Sequence, residues 1–215
     1  MDKNANPNRK KRVNFFVDGF NFYYGLKEMT KLKPDWRKFY WIDLVKLYEQ
    51  FLSGVVHYFT ARPKNTGKTA RQNILMNCNK AINGDRLKIH YGKYQDKPII
   101  CRASCGKTFN HWEEKQTDVS LAIKMIEDCH LSSCEKIVLV SGDSDFLPPL
   151  RLIINLYSHF ELAVLFPPCK FTVEINNLPI SKTSMETNKP KWNKALLEHV
   201  TKVDQRTFRI PTEWT

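Results

Sequence analysis

Ile137-Val138-Leu139-Val140-Ser141-Gly142-Asp143-Ser144-Asp145-Phe146 decides the fold. Four consecutive apolar, mostly β-branched residues are what a strand buried on both faces of a parallel sheet requires. They run straight into a turn of small and acidic residues. Upstream, Thr117 to Cys129 has helical spacing. Val119, Ala122, Ile123 and Ile126 recur at three- and four-residue intervals, Thr117 is placed as the N-cap and Asp118 lies in the first turn. Downstream, Pro148-Pro149 opens a second helix through Leu150, Ile153, Ile154 and Tyr157, and Leu162 to Phe166 is another apolar strand.

The same alternation extends to the N-terminal side. Val13 to Val17, Val55 to Thr60 and Leu87 to Tyr91 read as strands. A helix through Ile42, Val45, Leu47, Tyr48, Phe51 and Leu52 and another over Thr66 to Ile82 separate them. Five strands alternating with helices predict an α/β fold, a parallel sheet covered by helices on both faces. Residues 1–12, rich in Lys and Arg, read as a disordered basic arm, 13–180 as the domain, and 181–215 as an extension with a helical middle, Trp192 to Val203, and an irregular end. Residues 93–112 form a basic insert with cysteines and aromatics, without a clear period.

In an open parallel sheet, ligands collect at the carboxyl ends of the strands. Asp18 follows the first strand, Asp143 and Asp145 follow the Ile137–Val140 strand, and Asp118 opens the preceding helix. Carboxylates so gathered repel one another unless a cation lies between them or their pKa values rise. Oxygen ligands without a histidine pair select a hard ion, Mg²⁺ or Mn²⁺, which suits attack on a phosphodiester. Gly19 and Gly142 are expected to permit the sharp turns beside these acids.

The net charge of +12 on 215 residues points to a polyanionic partner. It is unevenly spread: residues 60–115 carry +8, whereas 116–179, with three of the four aspartates, carry −4. Arg62, Lys68, Arg71, Lys93 and Lys107 are interleaved with Tyr91, Tyr94, Phe109 and Trp112. Cations for phosphates and rings for bases suit single-stranded RNA.

Other classes are set aside. The longest apolar runs fall far short of the ~20 residues that span a bilayer. The polar N-terminus is not a secretory signal, so no membrane is expected and the cytoplasm is the default compartment. Gly67-Lys68-Thr69 resembles the end of a P-loop, but Arg62 stands where a glycine is required. Cys101-x-x-x-Cys105 is read as a reduced thiol pair. A Zn²⁺ site there would need two further ligands, and Cys78 or His111 would supply one only if the fold brought it near.

Three blocks, Phe16-Val17-Asp18-Gly19-Phe20-Asn21-Phe22, Glu113-Glu114-Lys115-Gln116-Thr117-Asp118-Val119-Ser120-Leu121-Ala122 and Val140-Ser141-Gly142-Asp143-Ser144-Asp145-Phe146, together resemble the signatures of the NYN family, LabA-like branch, whose members are PIN-like metal-dependent ribonucleases. The resemblance runs over about residues 12–180. It implies a three-layer α/β/α (Rossmann-like) sandwich with a five-stranded parallel sheet. It implies an endoribonuclease whose metal site is Asp18, Asp118, Asp143 and Asp145. Asn21 would position a water or a phosphate, Ser141 and Ser144 would orient carboxylates, and Lys115 would contact phosphate. The end Ile210-Pro211-Thr212-Glu213-Trp214 resembles a tail found in many LabA-like members. PIN-like domains often pair, so a homodimer is an open expectation. Two alternatives stand beside catalysis. One is a non-catalytic RNA-binding module. The other is a Mg²⁺-dependent phosphatase, disfavoured because Asp18-Gly19-Phe20 lacks an Asp-x-Asp pair.

Overall fold

A computed structural model describes residues 11–49, 54–101 and 105–215; at 110–112 only the backbone is described. In chain order the elements are β1 (Val13–Asp18), α1 (Gly19–Leu32), α2 (Leu44–Glu49), β2 (Val55–Thr60), α3 (Thr66–Asn83), β3 (Leu87–Tyr91), β4 (Lys93–Ile100), β5 (Thr108–Lys115), α4 (Thr117–His130), β6 (Lys136–Val140), α5 (Leu147–Leu156), β7 (Glu161–Phe166), α6 (Val173–Asn176), β8 (Ser181–Ser184), α7 (Lys189–Lys194), β9 (Val200–Val203) and β10 (Arg206–Arg209). The expected ends of the basic arm (1–10) and of the helix after Ile42 (Phe51, Leu52) lie outside the described residues.

The main sheet has the order β3-β2-β1-β6-β7-β8, and every pairing in it is parallel. It is an α/β/α sandwich with six strands, one more than expected. The sixth, β8, pairs Ser181–Ser184 with Ala163–Phe166, so the boundary expected at 180 falls at the start of a strand. Its sequence, Ser-Lys-Thr-Ser, has no apolar signal because an edge strand is held by backbone pairing and needs no core-facing residues. Two antiparallel hairpins stand outside the sheet: β4–β5, which is the ordered form of the basic insert, and β9–β10, which replaces the second half of the expected C-terminal helix.

Central strand β1 is buried throughout. On one side Phe15 stacks on Tyr48 at 5.4 Å, within a core that includes Leu26, Trp36, Phe39 and Trp192. Trp192, from beyond the expected domain end, is fully buried, stacks on Phe22 at 5.7 Å, and donates its indole N–H to Met185 O at 2.9 Å. On the other side Phe16 packs with Phe59, Leu121, Met125 and Leu150. Besides the terminal Asp18, β1 carries one polar residue, Asn14, whose amide donates to buried Asp128 of α4 at 2.6 Å.

Helix α4 buries a different face from the expected one. Leu121, Met125, Asp128 and Cys129 face inward, while Val119 and Ile123 are 63% and 61% exposed. Asp128 reads as polar, but its bond to Asn14 and its ion pair with Lys124 at 2.9 Å make it a buried position. Nor is Thr117 the cap. Gln116 takes that place in the left-handed region (φ 80°), and Glu114 accepts from the Thr117 N–H at 3.1 Å and from its hydroxyl.

Candidate metal and nucleic-acid site

The chain winds β1→β2→β3 to one side of the sheet and β6→β7→β8 to the other, so the topological switch lies between β1 and β6. Helices that leave neighbouring strands in opposite directions open a crevice there. Asp18 ends β1, and Ser141 to Asp145 follow β6. Helix α4 runs back against the sheet before β6, so its N-terminus, with Asp118, returns to the same edge.

Asp18 is nearly fully buried. It caps α1, accepting from the N–H groups of Phe20 and Asn21 at 3.1 and 3.0 Å, and takes the Ser141 hydroxyl at 2.9 Å. Burial nonetheless holds its pKa above the ordinary value against those bonds, and the Asp143 charge adds to the rise. Ser141 also accepts from the Asp143 N–H at 3.1 Å, so one buried hydroxyl ties the two strand ends together. Asn21 accepts from the Gly142 N–H at 3.0 Å, a second tie across the crevice. Asp143 caps the short turn that carries Asp145, accepting from its N–H at 3.0 Å. Asp118 is pushed up to about 6, first by burial and then by the charges of Asp18, Glu114, Asp143 and Asp145.

All four expected aspartates therefore interact at one edge. Glu114 joins them, and sequence reasoning missed it. The available signal was its place in β5: a strand alternates its faces, so a residue between Glu113 and Lys115 points opposite to both. Those two form an ion pair at 3.1 Å, which occupies Lys115 away from the face of Glu114. Ser144 is exposed, and among the described residues no hydrogen bond ties its hydroxyl to a carboxylate. The donor set is all oxygen, which fits a hard divalent ion. Among the described residues, however, no three acid, histidine or cysteine side chains converge closely enough to enclose an ion as they stand.

Neither glycine beside the acids has a positive φ; their role is close approach rather than a special turn. A Cβ on Gly19 would meet Phe59 O at 2.6 Å and the Tyr58 ring at 2.7 Å, and one on Gly142 would press on the Lys170–Phe171 backbone at 3.0 Å.

The expected phosphate contacts separate into two groups. Lys68 and Arg71 line a cavity that begins at Gly19, and Arg62 stands over the Tyr91 ring at 5.0 Å beside it. Lys93 is at the base of the β4–β5 hairpin. Lys107 is beyond its far end, about 25 Å away along the strands. Further cations missed from sequence, Lys27 and Lys31 on α1 and Arg37 after it, line the same cavity. The spacing Tyr24-x-x-Lys27-x-x-x-Lys31 would have grouped the two lysines with Tyr24 on one helix face. Cys101 and Cys105 sit at the hairpin tip, where a hydrogen bond from Cys101 lowers the Cys105 pKa. Cys78 is buried in α3, beside Thr201 and Asp43, and the His111 and Trp112 side chains lie outside the described residues.

The NYN domain profile matches residues 12–164. This chain is a member of the NYN domain family. The family is PIN-like, and the matched span contains both sides of the crevice, Asp18 and Asp143 included. A curated relative, 6-hydroxy-3-succinoylpyridine 3-monooxygenase HspA of Pseudomonas putida (strain DSM 28022 / S16), is 25% identical over 198 residues. The match covers 73% of this NYN chain, which spans 59% of the relative's length. A crystal structure of a protein of unknown function from Vibrio parahaemolyticus RIMD 2210633 superposes with a TM-score of 0.56 at 17% identity, over 90% of this chain and 100% of that one. That likeness concerns the fold alone. Among the described residues no helix is long and apolar enough to cross a membrane.

Proposed function

We propose that this NYN domain is a metal-dependent endoribonuclease hydrolysing single-stranded or structured RNA, with Asp18, Asp118, Asp143 and Asp145 as its metal-binding carboxylates and cytoplasmic RNA as its substrate. One observation carries the reading. Four aspartates and Glu114 share the crevice at the topological switch, so that Asp118 is raised to about 6 by burial and by its acidic neighbours. Such a concentration of negative charge costs stability, and a divalent cation offsets it. Mg²⁺ or Mn²⁺, when bound, supplies a water acidic enough to attack phosphorus and neutralises charge on the phosphodiester.

The chain's own residues do the rest. Asp18, fixed by three hydrogen bonds, is the rigid member, while half-buried Asp143 and exposed Asp145 sit on the turn that follows β6. Asn21 and Ser141 hold the two strand ends in register. Lys68 and Arg71 take the phosphates next to the scissile bond. In the reaction a water oxygen bonds to phosphorus and gives up a proton, one P–O ester bond breaks, and the departing oxygen takes up a proton to leave as a hydroxyl.

The test is cleavage of end-labelled single-stranded RNA with Mn²⁺. EDTA should stop it, and Asp143→Asn should abolish it while circular dichroism stays unchanged. Full activity in the folded variant would refute the assignment. Metal-independent RNA binding by a wild-type chain that never cleaves would identify a non-catalytic module. A second reading comes from the monooxygenase relative: the ring-lined, cationic cavity beside Asp18 also suits a flat hydroxypyridine bearing a carboxylate. Consumption of 6-hydroxy-3-succinoylpyridine with oxygen and a reductant, and no RNA cleavage, would establish it.

A further inference from the structure

Between α1 and α3, directly beside Asp18, lies a cavity of about 630 Å³, within the ~300–1,000 Å³ of small-ligand sites. One wall is a continuous file of rings. Tyr24, Tyr23, Tyr40 and Trp214 follow one another with centroids 5.4, 5.8 and 5.7 Å apart, and Tyr40 and Trp214 lie within 22° of parallel. Tyr23 and Tyr24 are 37% and 49% exposed, a large ring area left open to a partner. Around the rings stand Lys27, Lys31, Arg37, Lys68 and Arg71. Glu213 is the one acid among the described lining residues, and Arg71 pairs with it. Gln72, also in the wall, donates its amide to Thr60 and Ala61, and its Oε1 has no donor. The file is built by the C-terminal turn reaching back onto α1's neighbourhood, since Trp214 comes from Thr212–Trp214 and packs on Tyr40 and Trp41.

We infer that this cavity seats an unpaired nucleotide of the RNA strand being cut, its base stacked on the Tyr23–Tyr24 rings with Trp214 closing the wall, and its flanking phosphates on Lys27, Lys68 and Arg71. Three features select that occupant. The strongly positive lining calls for a polyanion. The rings call for an exposed base face, which a duplex hides. Gly19 and Phe20, the residues after Asp18, form part of the same lining, so a strand whose phosphate lies at the acids has its neighbouring nucleotide at the mouth of the cavity. Ring stacking reads no sequence, so the slot selects single strands without selecting bases. The inference rests on the nuclease reading for where the strand runs, but the slot itself is measured by binding alone.

The experiment titrates the full chain, in EDTA so that nothing is cleaved, into a fluorescein-labelled 12-nucleotide oligoadenylate and into the same length of duplex RNA. Tyr24→Ala and Trp214→Ala should each weaken single-strand binding about tenfold. Tyr24→Phe and Trp214→Phe should restore it to within about twofold, because the ring is kept. The duplex should bind more weakly and be indifferent to all four changes. Ala variants with unchanged circular dichroism and melting temperature that bind the single strand like wild type would overturn the slot. So would duplex binding that is equally tight and equally weakened. A third refutation would be displacement of the strand by millimolar nicotinate but not by adenosine 5′-monophosphate, which would make the cavity a site for small ring acids. Ring-dependent single-strand binding with no cleavage under Mn²⁺ would support the slot and refute the nuclease reading.

Discussion

Replacing Ser141 by Ala removes one oxygen from the interior and should unfold more of the protein than any exposed substitution of that size. The Ser141 hydroxyl is fully buried and bonded twice, donating to Asp18 Oδ2 at 2.9 Å and accepting from the Asp143 N–H at 3.1 Å. The first bond is made to a charged group, worth about 1.5–3 kcal/mol. Without it Oδ2 keeps no donor among the described residues, because Phe20 and Asn21 both bond to Oδ1. The second loss is smaller, since it concerns one neutral N–H, that of half-buried Asp143. Together they amount to about 3 kcal/mol. At roughly 2–4 °C per kcal/mol for a domain of this size, the melting temperature should fall by about 9 °C. Urea denaturation in EDTA measures the free energy, and calorimetry the temperature. The variant should also push the Asp18 pKa higher still, so its deficit against wild type should shrink as pH falls and Asp18 becomes protonated. A loss below about 1 kcal/mol, or a deficit that does not change with pH, would refute the claim that this hydroxyl holds the two strand ends and stabilises the carboxylate.

Asp118→Asn should stabilise the metal-free chain by about 1–2 kcal/mol at pH 8, discounted because the side chain is only half-buried. The folded pKa of Asp118 is raised to about 6, so its cost is present above pH 6 and declines as pH falls toward the unfolded value. The gain in melting temperature should therefore vanish below pH 4. The opposite sign applies to His57, which burial drives down to about 4. It stacks between Phe16 and His90, its Nδ1 3.1 Å from His90 Nε2. The unfolded chain takes up the proton first, so stability present above pH 6.5 should fall by ~3 kcal/mol as pH drops to 4, and His57→Phe should flatten that part of the pH–stability curve. In the presence of EDTA the two variants' pH profiles should be independent, their groups lying in separate clusters.

The two-sided burial of β1 and β6 was legible because strands inside a parallel sheet carry near-continuous apolar runs, unbroken over Ile137–Val140 and broken in Val13–Val17 only by Asn14. The four aspartates were legible for the same reason, each standing where such a run ends or the next helix begins. Two other features were hidden. β8 has no apolar code because an edge strand is made by backbone hydrogen bonds. The buried face of α4 was hidden because Asp128, polar in sequence, is satisfied by Asn14 and Lys124 across 114 and 4 residues. Lys115 and Ser144 matched a motif, yet local geometry turned the first to Glu113 and left the second exposed.

By itself the sequence determined five of the six parallel strands and the four aspartates at or near their ends, since burial and turn formation act on neighbours in the chain. Only the tertiary structure decided which side of the acids is cationic and ring-lined. Trp214, Tyr40, Lys27 and Arg71 come from four separate stretches, and nothing in the spacing of any one of them encodes their meeting. Their position around one cavity follows from where α1, α3 and the C-terminal turn pack on a shared core.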